Sequence, residues 1–384
     1  MLILQDDKKW MKHAIKLAKR GLGKVNPNPM VGAVIVKDGV LIGEGWHEEY
    51  GGLHAERNAI IDCKNCYKSN WDVLLKDATI YVTLEPCCHY GKTPPCTEAI
   101  IQNSIGRVVI GAVDPNPLVG GKGIKILKEN GITVENGLLE EECIKQNEIF
   151  FHYIKTNKPY VVMKYAMTLD GKISTYTGHS KWITGEVSRQ HVHDTRKRLK
   201  AIMVGINTVI MDNPMLNCRL KDSPSDPIRI ICDSNLRIPL NSNIVKTAKN
   251  ISTIVVCICD DDNQDYNKDE KKKELERNCI KVLEIKANSK GQIDLNELMM
   301  KLGKMNIDSI LLEGGSTLNF SALQSGIVSK VQVYIAPKIF GGEAAKTPVG
   351  GEGVPFAYEG FKLEKPIIKM LGEDFLLEYK IVKE

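Results

Sequence analysis

The chain has 384 residues, about two and a half times the ~150 of an average domain, so two domains are expected. Hydrophobic residues at 43% and charged residues at 26% are ordinary globular values and exclude a largely disordered, collagen-like or coiled-coil protein. A net charge of +5, with Lys and Arg dispersed among Asp and Glu, argues against a nucleic-acid surface and leaves room for a small phosphorylated ligand.

In chain order, Trp10, Ala14, Leu17 and Ala18 recur at helical spacing, which predicts an amphipathic helix over 7–20. The apolar run 31–36, a turn at Asp38-Gly39 and the run 40–46 predict a β-hairpin, because Asp-Gly readily takes positive φ. Then come a helix at 54–63, a strand at 78–84, a helix at 97–103 and a strand at 107–113. Another helix, a strand at 131–134 and an acidic helix complete a mixed α/β domain over 1–147. Residues 148–158 show no clear period and end before Pro159, as a short docked linker would. A second α/β pattern fills 159–384, with strands at 160–167, 201–205, 228–232, 251–259, 310–312, 330–335 and 375–381 and helices at 187–199 and 295–303. Such alternation predicts a largely parallel sheet with ligands at the strand carboxyl ends. Residues 260–277 read as a solvated loop and helix face. None of the apolar runs nears the roughly 20 residues that cross a bilayer, and the first ten residues lack a leader pattern, so a cytoplasmic protein without membrane contact is expected.

Eleven cysteines is an odd count, and Cys232, Cys257 and Cys259 lie in apolar strand-like runs, so a secreted disulfide framework is disfavoured and a metal site is the better question. The sharpest signal is His54-Ala-Glu56 at a predicted helix start, followed by Glu85-Pro-Cys-Cys88 and Thr93-Pro-Pro-Cys96. A catalytic zinc takes three imidazole or thiolate ligands and keeps a fourth position for water, which His54 and two cysteines can provide. Helix N-termini favour thiolates, and a glutamate two residues after the histidine can stand beside that water and move its proton. His-x-Glu with Pro-Cys is the pattern of zinc-dependent base deaminases, which also expects Cys-x-x-Cys; here residue 90 is Tyr. A structural zinc closed by Cys88 or His89 is the competing reading. Cys63-Lys-Asn-Cys66 has metal-like spacing but lacks a partner pair.

The text Asn28-Pro-Met-Val-Gly32, His54-Ala-Glu56 and Glu85-Pro-Cys-Cys-His-Tyr-Gly-Lys-Thr-Pro-Pro-Cys96 closely resembles the bifunctional riboflavin-biosynthesis deaminase–reductase family. That resemblance implies a cytidine-deaminase-like α/β/α first domain, with His54, Cys87 and Cys96 as zinc ligands and Glu56 as proton shuttle. It also implies Asn28, His47, His89 and Lys92 as substrate residues.

In the second half, Leu311-Leu-Glu-Gly-Gly-Ser-Thr-Leu-Asn-Phe-Ser321 delivers two glycines and hydroxyls to a helix start, where free amides can cradle a phosphate. No Gly-x-Gly-x-x-Gly occurs, so a Rossmann domain is disfavoured. Lys164-Tyr-Ala-Met-Thr-Leu-Asp-Gly-Lys172, Ser180-Lys-Trp-Ile-Thr184, Val204-Gly-Ile-Asn-Thr-Val209 and Asp212-Asn-Pro214 resemble the reductase half of the same family, whose fold is like dihydrofolate reductase. The resemblance implies NADPH contacts from Ala166, Trp182, Thr208, Asp212, Gly315, Ser316, Thr317, Leu318, Asn319, Phe320 and Ser321. It implies substrate contacts from Ser180, Arg196, Leu216, Arg219 and Glu313. Reduction of a ribosylamine proceeds through its open imine, and Lys164, Asp212 or Glu313 could manage the proton. An arginine fork suits the 5′-phosphate; for the basic run 196–200 a solvated helix face competes. The implied reactions are deamination of 2,5-diamino-6-ribosylamino-4(3H)-pyrimidinone 5′-phosphate and reduction of the resulting 5-amino-6-(5-phosphoribosylamino)uracil by a homo-oligomer. Rival readings are a deaminase of another base or of tRNA adenosine, and a regulatory protein that keeps both sites without catalysis.

Overall fold

The computed structural model describes residues 5–91, 93–117, 119–220, 226–259 and 266–382. The chain divides into two compact units, Met1–Thr156 and Asn157–Glu384.

The first unit opens with α1 (Gln5–Ala18), β1 (Gly32–Lys37) and β2 (Val40–Trp46), continues with α2 (Ala55–Tyr67), α3 (Trp71–Leu75), β3 (Thr79–Leu84), α4 (Cys96–Gln102) and β4 (Arg107–Ala112), and ends with α5 (Lys122–Glu129), β5 (Thr133–Asn136), α6 (Glu140–Gln146) and α7 (Glu148–Thr156). Its five-stranded sheet runs β2-β1-β3-β4-β5, antiparallel about β1 and parallel from β3 to β5. Glycines let helices press on both faces. A Cβ on Gly32 would come within 2.0 Å of the Ala14 carbonyl of α1, and one on Gly45 within 2.4 Å of the Ala59 nitrogen of α2. Gly32 pairs with Trp46 and Gly45 with Ala33, so the two glycines face opposite sides of the pleat and the unit is an α/β/α sandwich.

Residues 148–158, expected as a linker, are mostly the helix α7, which belongs to the first unit. Phe150 and Phe151 are buried in that unit's core, while Glu148, His152, Lys155 and Thr156 recur at helical spacing, so the run is a short amphipathic helix rather than a linker.

The second unit contains β6 (Tyr160–Thr168), α8 (Glu186–Arg198), β7 (Ala201–Gly205), α9 (Ile206–Asp212), β8 (Ile228–Cys232), α10 (Asn243–Lys246), β9 (Thr253–Ile258), α11 (Tyr266–Arg277) and β10 (Ile280–Ile285). It continues with α12 (Leu295–Lys304), β11 (Ser309–Leu312), α13 (Ser316–Gln324), β12 (Val328–Ala336), β13 (Ile367–Leu371) and β14 (Asp374–Lys380). The nine-stranded sheet runs β10-β9-β8-β7-β11-β6-β12-β14-β13, parallel up to β12, after which β14 and β13 run antiparallel. The central strands β7 and β11 are almost wholly buried, which explains their unbroken apolar text. No helix among the described residues is long and apolar enough to cross a membrane.

One charge is sunk in this sheet. Arg229 on β8 is 0% exposed and donates to the Thr253 and Thr247 hydroxyls at 2.7–3.0 Å and to the Ile244, Ile251 and Met215 carbonyls at 3.0–3.3 Å. Burial lowers its pKa to about 10 despite the opposing charge of Asp226. The guanidinium thereby ties α10, the entry to β9 and the segment before Leu216 together. Arg229→Met would strand several buried acceptors, so it is expected to lower unfolding stability by about 3 kcal/mol. An unchanged urea midpoint would refute that structural role.

Candidate active sites

In the first unit three side chains converge from two helix starts and a loop. His54 precedes α2 in extended conformation, Cys96 is the first residue of α4, and Cys87 lies in the loop after β3. The loop is held from both ends. Thr97 donates its amide and hydroxyl to the Cys87 carbonyl at 3.2 and 3.3 Å, and Arg57 donates to the carbonyls of Pro94 and Pro95 at 3.2 and 2.9 Å. His54 Nδ1 lies 3.4 Å from the Sγ atoms of both Cys87 and Cys96. A tetrahedral zinc with ordinary bond lengths separates its sulfur and nitrogen ligands by roughly 3.6 Å, so this donor set fits the ion. The three donor atoms lie within 4.8 Å of one another, and neither Cys88 nor His89 joins the group. That geometry leaves a coordination position open and disfavours the closed structural site.

The electrostatics agree with a cation-binding role. Cys87 and Cys96 share one proton: the hydrogen bond between them draws Cys87 down to about 4 and, with burial, pushes Cys96 up. A cation at the centre takes that proton's place. Glu56, in the first turn of α2, is 3% exposed; burial, then the Cys87 charge, raises its carboxyl to about 7. Cys63 is buried in the core with its thiol pushed up to about 11, Cys66 is exposed, and among the described residues the pair joins no cluster of three donors.

A cavity of about 310 Å³ opens beside these groups and is lined by Asn28, His47, Glu56, His89, Asp114 and Asn116, among others. His47 is buried, which keeps its ring neutral. Its Nδ1 donates to the Leu53 carbonyl at 3.0 Å, so Nε2 accepts from the Asn28 amide at 3.3 Å and fixes that amide's orientation. Asn147 exchanges two 2.8 Å hydrogen bonds with the backbone of Met30 and thereby anchors the segment that carries Asn28. Glu85 is a structural carboxylate that accepts from the amides of Asp114, Gly121 and Ile124. Lys92 lies outside the described residues.

In the second unit, Arg196 of α8 grips Glu313 with two parallel bonds, Nε to Oε1 and Nη2 to Oε2, each 2.9 Å, and spends Nη1 on the Asn217 carbonyl at 2.8 Å. Burial alone would raise Glu313, but the charges of Arg196 and Lys164 hold it at about 2. Burial lowers Lys164, and Arg196 adds to that against the pull of Glu313. Thr208 stands against Gly315: a Cβ there would lie 3.9 Å from its Oγ1. Gly314 has φ +91° and lies against Asn319, and the start of α13 has no side-chain cap, so its amides remain available to an anion. Within 315–321, Asn319 and Phe320 are buried and Leu318 packs on the core, so Gly315, Ser316 and Thr317 form the accessible start of the run.

Trp182, largely exposed, has the Arg189 guanidinium over its ring at 4.8 Å. It lies with Ser180 on the connection from β6 to α8, and Ala166 is on β6 opposite Tyr334. Leu216 is 4% exposed in an apolar cluster with Ile202 and Ile231, which leaves its backbone as the part able to meet a substrate. Asp212 closes α9 and is exposed.

Two family models divide the chain at nearly the same place. "Cytidine and deoxycytidylate deaminase zinc-binding region" matches residues 4–112, and "RibD C-terminal domain" matches residues 159–377. The riboflavin biosynthesis protein RibD of Actinobacillus pleuropneumoniae is 52% identical over 98% of this chain and 96% of its own length. The chain belongs to the RibD family. The RibD of Aquifex aeolicus is 40% identical over 99% of both chains. Among solved structures, RibD of Acinetobacter baumannii (form 1) superposes with TM-score 0.85 at 36% identity over 99% of both chains. The Thermotoga maritima protein described as a diaminohydroxyphosphoribosylaminopyrimidine deaminase and 5-amino-6-(5-phosphoribosylamino)uracil reductase superposes with TM-score 0.80 at 37% identity over 98% of both. Two residues that the structure places beside the candidate groups carry no signal in the sequence: Asp114, which lines the cavity with its carboxyl raised to about 6 by burial, and His193, which contacts Arg219. Asp114-Pro-Asn-Pro117 reads as a plain turn, and His193 is one polar residue in a polar helix.

Proposed function

We propose that the chain performs two successive steps of riboflavin biosynthesis. The first is zinc-dependent hydrolytic deamination of 2,5-diamino-6-ribosylamino-4(3H)-pyrimidinone 5′-phosphate. The second is NADPH-dependent reduction of 5-amino-6-(5-phosphoribosylamino)uracil to the ribitylamino product. The observation that carries the reading is the open three-donor cluster of His54, Cys87 and Cys96 with the buried carboxylate of Glu56 beside it, in a chain whose other half is a RibD reductase domain.

Zinc supplies, when bound, the acidification that makes a hydroxide nucleophile available near neutral pH. Glu56 takes and returns protons at its carboxylate and delivers one to the departing amine; a pKa near 7 suits both directions. Asn28, oriented by neutral His47, offers its amide to the pyrimidine edge. In the second unit NADPH supplies the hydride. Glu313, held at about 2 by its neighbours, stays a carboxylate and stabilises positive charge at the imine, which leaves Lys164 as the group that gives up the proton. The start of α13 with Gly315 receives a phosphate of the cofactor. Exposed Arg237, which donates to Asn207 Oδ1 at 3.0 Å just after β8, is a cation suited to the 2′-phosphate.

Incubating the purified protein with the diaminopyrimidine phosphate, with and without NADPH, tests the reading by product mass. Without NADPH the product should carry oxygen in place of the amino group, and with NADPH two further hydrogens. An unchanged substrate in a zinc-loaded sample would reject it.

We extend the proposal to a homo-oligomer in the cytoplasm, the latter because the metal thiols must stay reduced. The sheet edge β13 exposes Ile367, Ile368 and Met370 and pairs on one side with β14, so a second copy is the expected cover. Ile368→Lys should shift sedimentation toward monomer; a monomeric wild-type protein would refute self-association.

A further inference from the structure

His193, on α8, faces the reductase cluster without a role in the chemistry above. Its side chain is 8% exposed, and its ionisation is shaped by burial first and then by Arg196, Arg219, Glu313 and Lys164. Two donors of a single residue meet its ring: Arg219 Nε lies 3.1 Å from Nε2, and the Arg219 backbone nitrogen lies 3.3 Å from Nδ1. A neutral imidazole has one acceptor nitrogen and one N–H, so it can satisfy only one of them. The guanidinium contact is shorter and charge-assisted, which makes such a bond roughly twice as strong as a neutral one. Nε2 is therefore the acceptor and Nδ1 carries the hydrogen. A protonated ring would turn both nitrogens into donors facing donors, and burial together with the two arginine charges pushes the pKa down to about 4.

The two arginines of the cluster differ in what they have left to offer. Arg196 has Nε, Nη1 and Nη2 each engaged, and its pairing with Glu313 is buried. Arg219 is exposed, and among the described residues its side chain is held by Nε alone, which leaves the two terminal nitrogens of its fork to pair with a ligand. Such a fork matches two phosphate oxygens, and an arginine whose rotamers are already restricted loses less entropy when it pairs.

We propose that His193 is the positioning residue of Arg219: its neutral Nε2 holds the guanidinium by Nε so that the free fork is presented to the phosphate of the pyrimidine substrate. The inference rests on Arg219 being a substrate residue, as the family resemblance implies, and on its fork being the arginine that meets the 5′-phosphate. It also gives α8 a second role beside carrying Arg196, since His193 and Arg196 lie three positions apart on one helical face.

The amides of Asn and Gln separate the two ring contacts. His193→Gln places an acceptor near the Nε2 position and can keep the guanidinium, whereas His193→Asn reaches only the Nδ1 position and can serve only the backbone amide. His193→Leu serves neither. In the full-length protein, Asn and Leu are expected to raise KM for the phosphorylated uracil substrate roughly tenfold, the worth of one charge-assisted hydrogen bond. They should leave kcat nearly unchanged, along with the NADPH dissociation constant read by fluorescence. Gln should recover most of the loss. KM for the dephosphorylated nucleoside should not respond to any of the three. An Asn variant with wild-type KM, or Gln and Leu equally impaired with intact NADPH binding, would overturn the proposal. Arg219→Ala separates phosphate binding from positioning: if it leaves KM for the phosphorylated substrate unchanged, the phosphate reading of Arg219 itself fails. If it raises KM while His193→Asn is silent, only the positioning role fails.

Discussion

Glu56→Gln is expected to retain zinc and to slow ammonia release by roughly 10³- to 10⁴-fold, the upper range for removing a general acid–base group. The amide has the volume and shape of the carboxyl, so α2 keeps its first turn and His54 keeps its place before it. What disappears is the ability to accept and return a proton. Glu56 is the carboxylate best placed to do so, being buried, two residues from His54 of the three-donor cluster, and raised to about 7, first by its removal from water. Asp114 also lines the cavity, but its Oδ1 accepts the Asn116 amide at 2.8 Å, which suits it to shape the wall rather than to shuttle. Metal analysis, an ammonia assay and reduction of separately supplied phosphoribosylaminouracil should be run on one preparation. Zinc present, deamination lost and reduction intact is the expected pattern. Unchanged deamination, or loss of the zinc, would contradict the shuttle assignment.

The first site was legible in the sequence because its chemistry is written in contiguous words. His54 and Glu56 are two apart, and Cys87 and Cys96 begin and end one loop, so local spacing already brings them together. The supports of the site are not local. Asn147 reaches Met30 across 117 positions, and Glu85 collects three amides from 114–124, contacts that exist only once β3 and β4 are neighbours. α7 is different: Glu148, His152, Lys155 and Thr156 recur at helical spacing, so an amphipathic period is present in nine residues, and only the surface that its Ile149, Phe150 and Phe151 pack against is non-local. β10 and β13 escaped notice as well. β10 alternates weakly after a highly charged helix, and β13 lies exposed at the sheet edge, where burial no longer imprints an inside–outside pattern. In the reductase cluster the sequence could name Lys164, Asp212 and Glu313 as proton carriers without choosing. The bidentate grip of Arg196 is what separates Glu313 from Lys164, by fixing the charge of one and leaving the other costly to charge.

Cys96→Ser should remove most of the zinc, and Cys88→Ser should leave it in place, although the two residues belong to the same cysteine-rich segment. Cys96 is buried at the start of α4, with its sulfur 3.4 Å from His54 Nδ1 and its own amide 3.4 Å from Cys87 Sγ. Cys88 is half-buried and outside the three-donor group, with burial raising its thiol pKa, so it stays protonated where Cys87 does not. A serine hydroxyl is a harder donor that rarely ionises, and zinc favours thiolate over it. Apparent zinc affinities of about 10–16 kcal/mol spread over four ligands make one ligand worth a few kcal/mol, so affinity should fall by roughly a hundredfold or more. Deamination should fall in step with metal content and partly return in excess zinc, whereas Glu56→Gln should not respond to added metal. That contrast separates a residue that holds the ion from one that works beside it. Zinc retained in the Cys96 variant and lost in the Cys88 variant would move the ligand set by one turn of the loop. The ion would still have three protein ligands and one open position, but Cys96 at the start of α4 would not be among them, and the ligand assignment would fail.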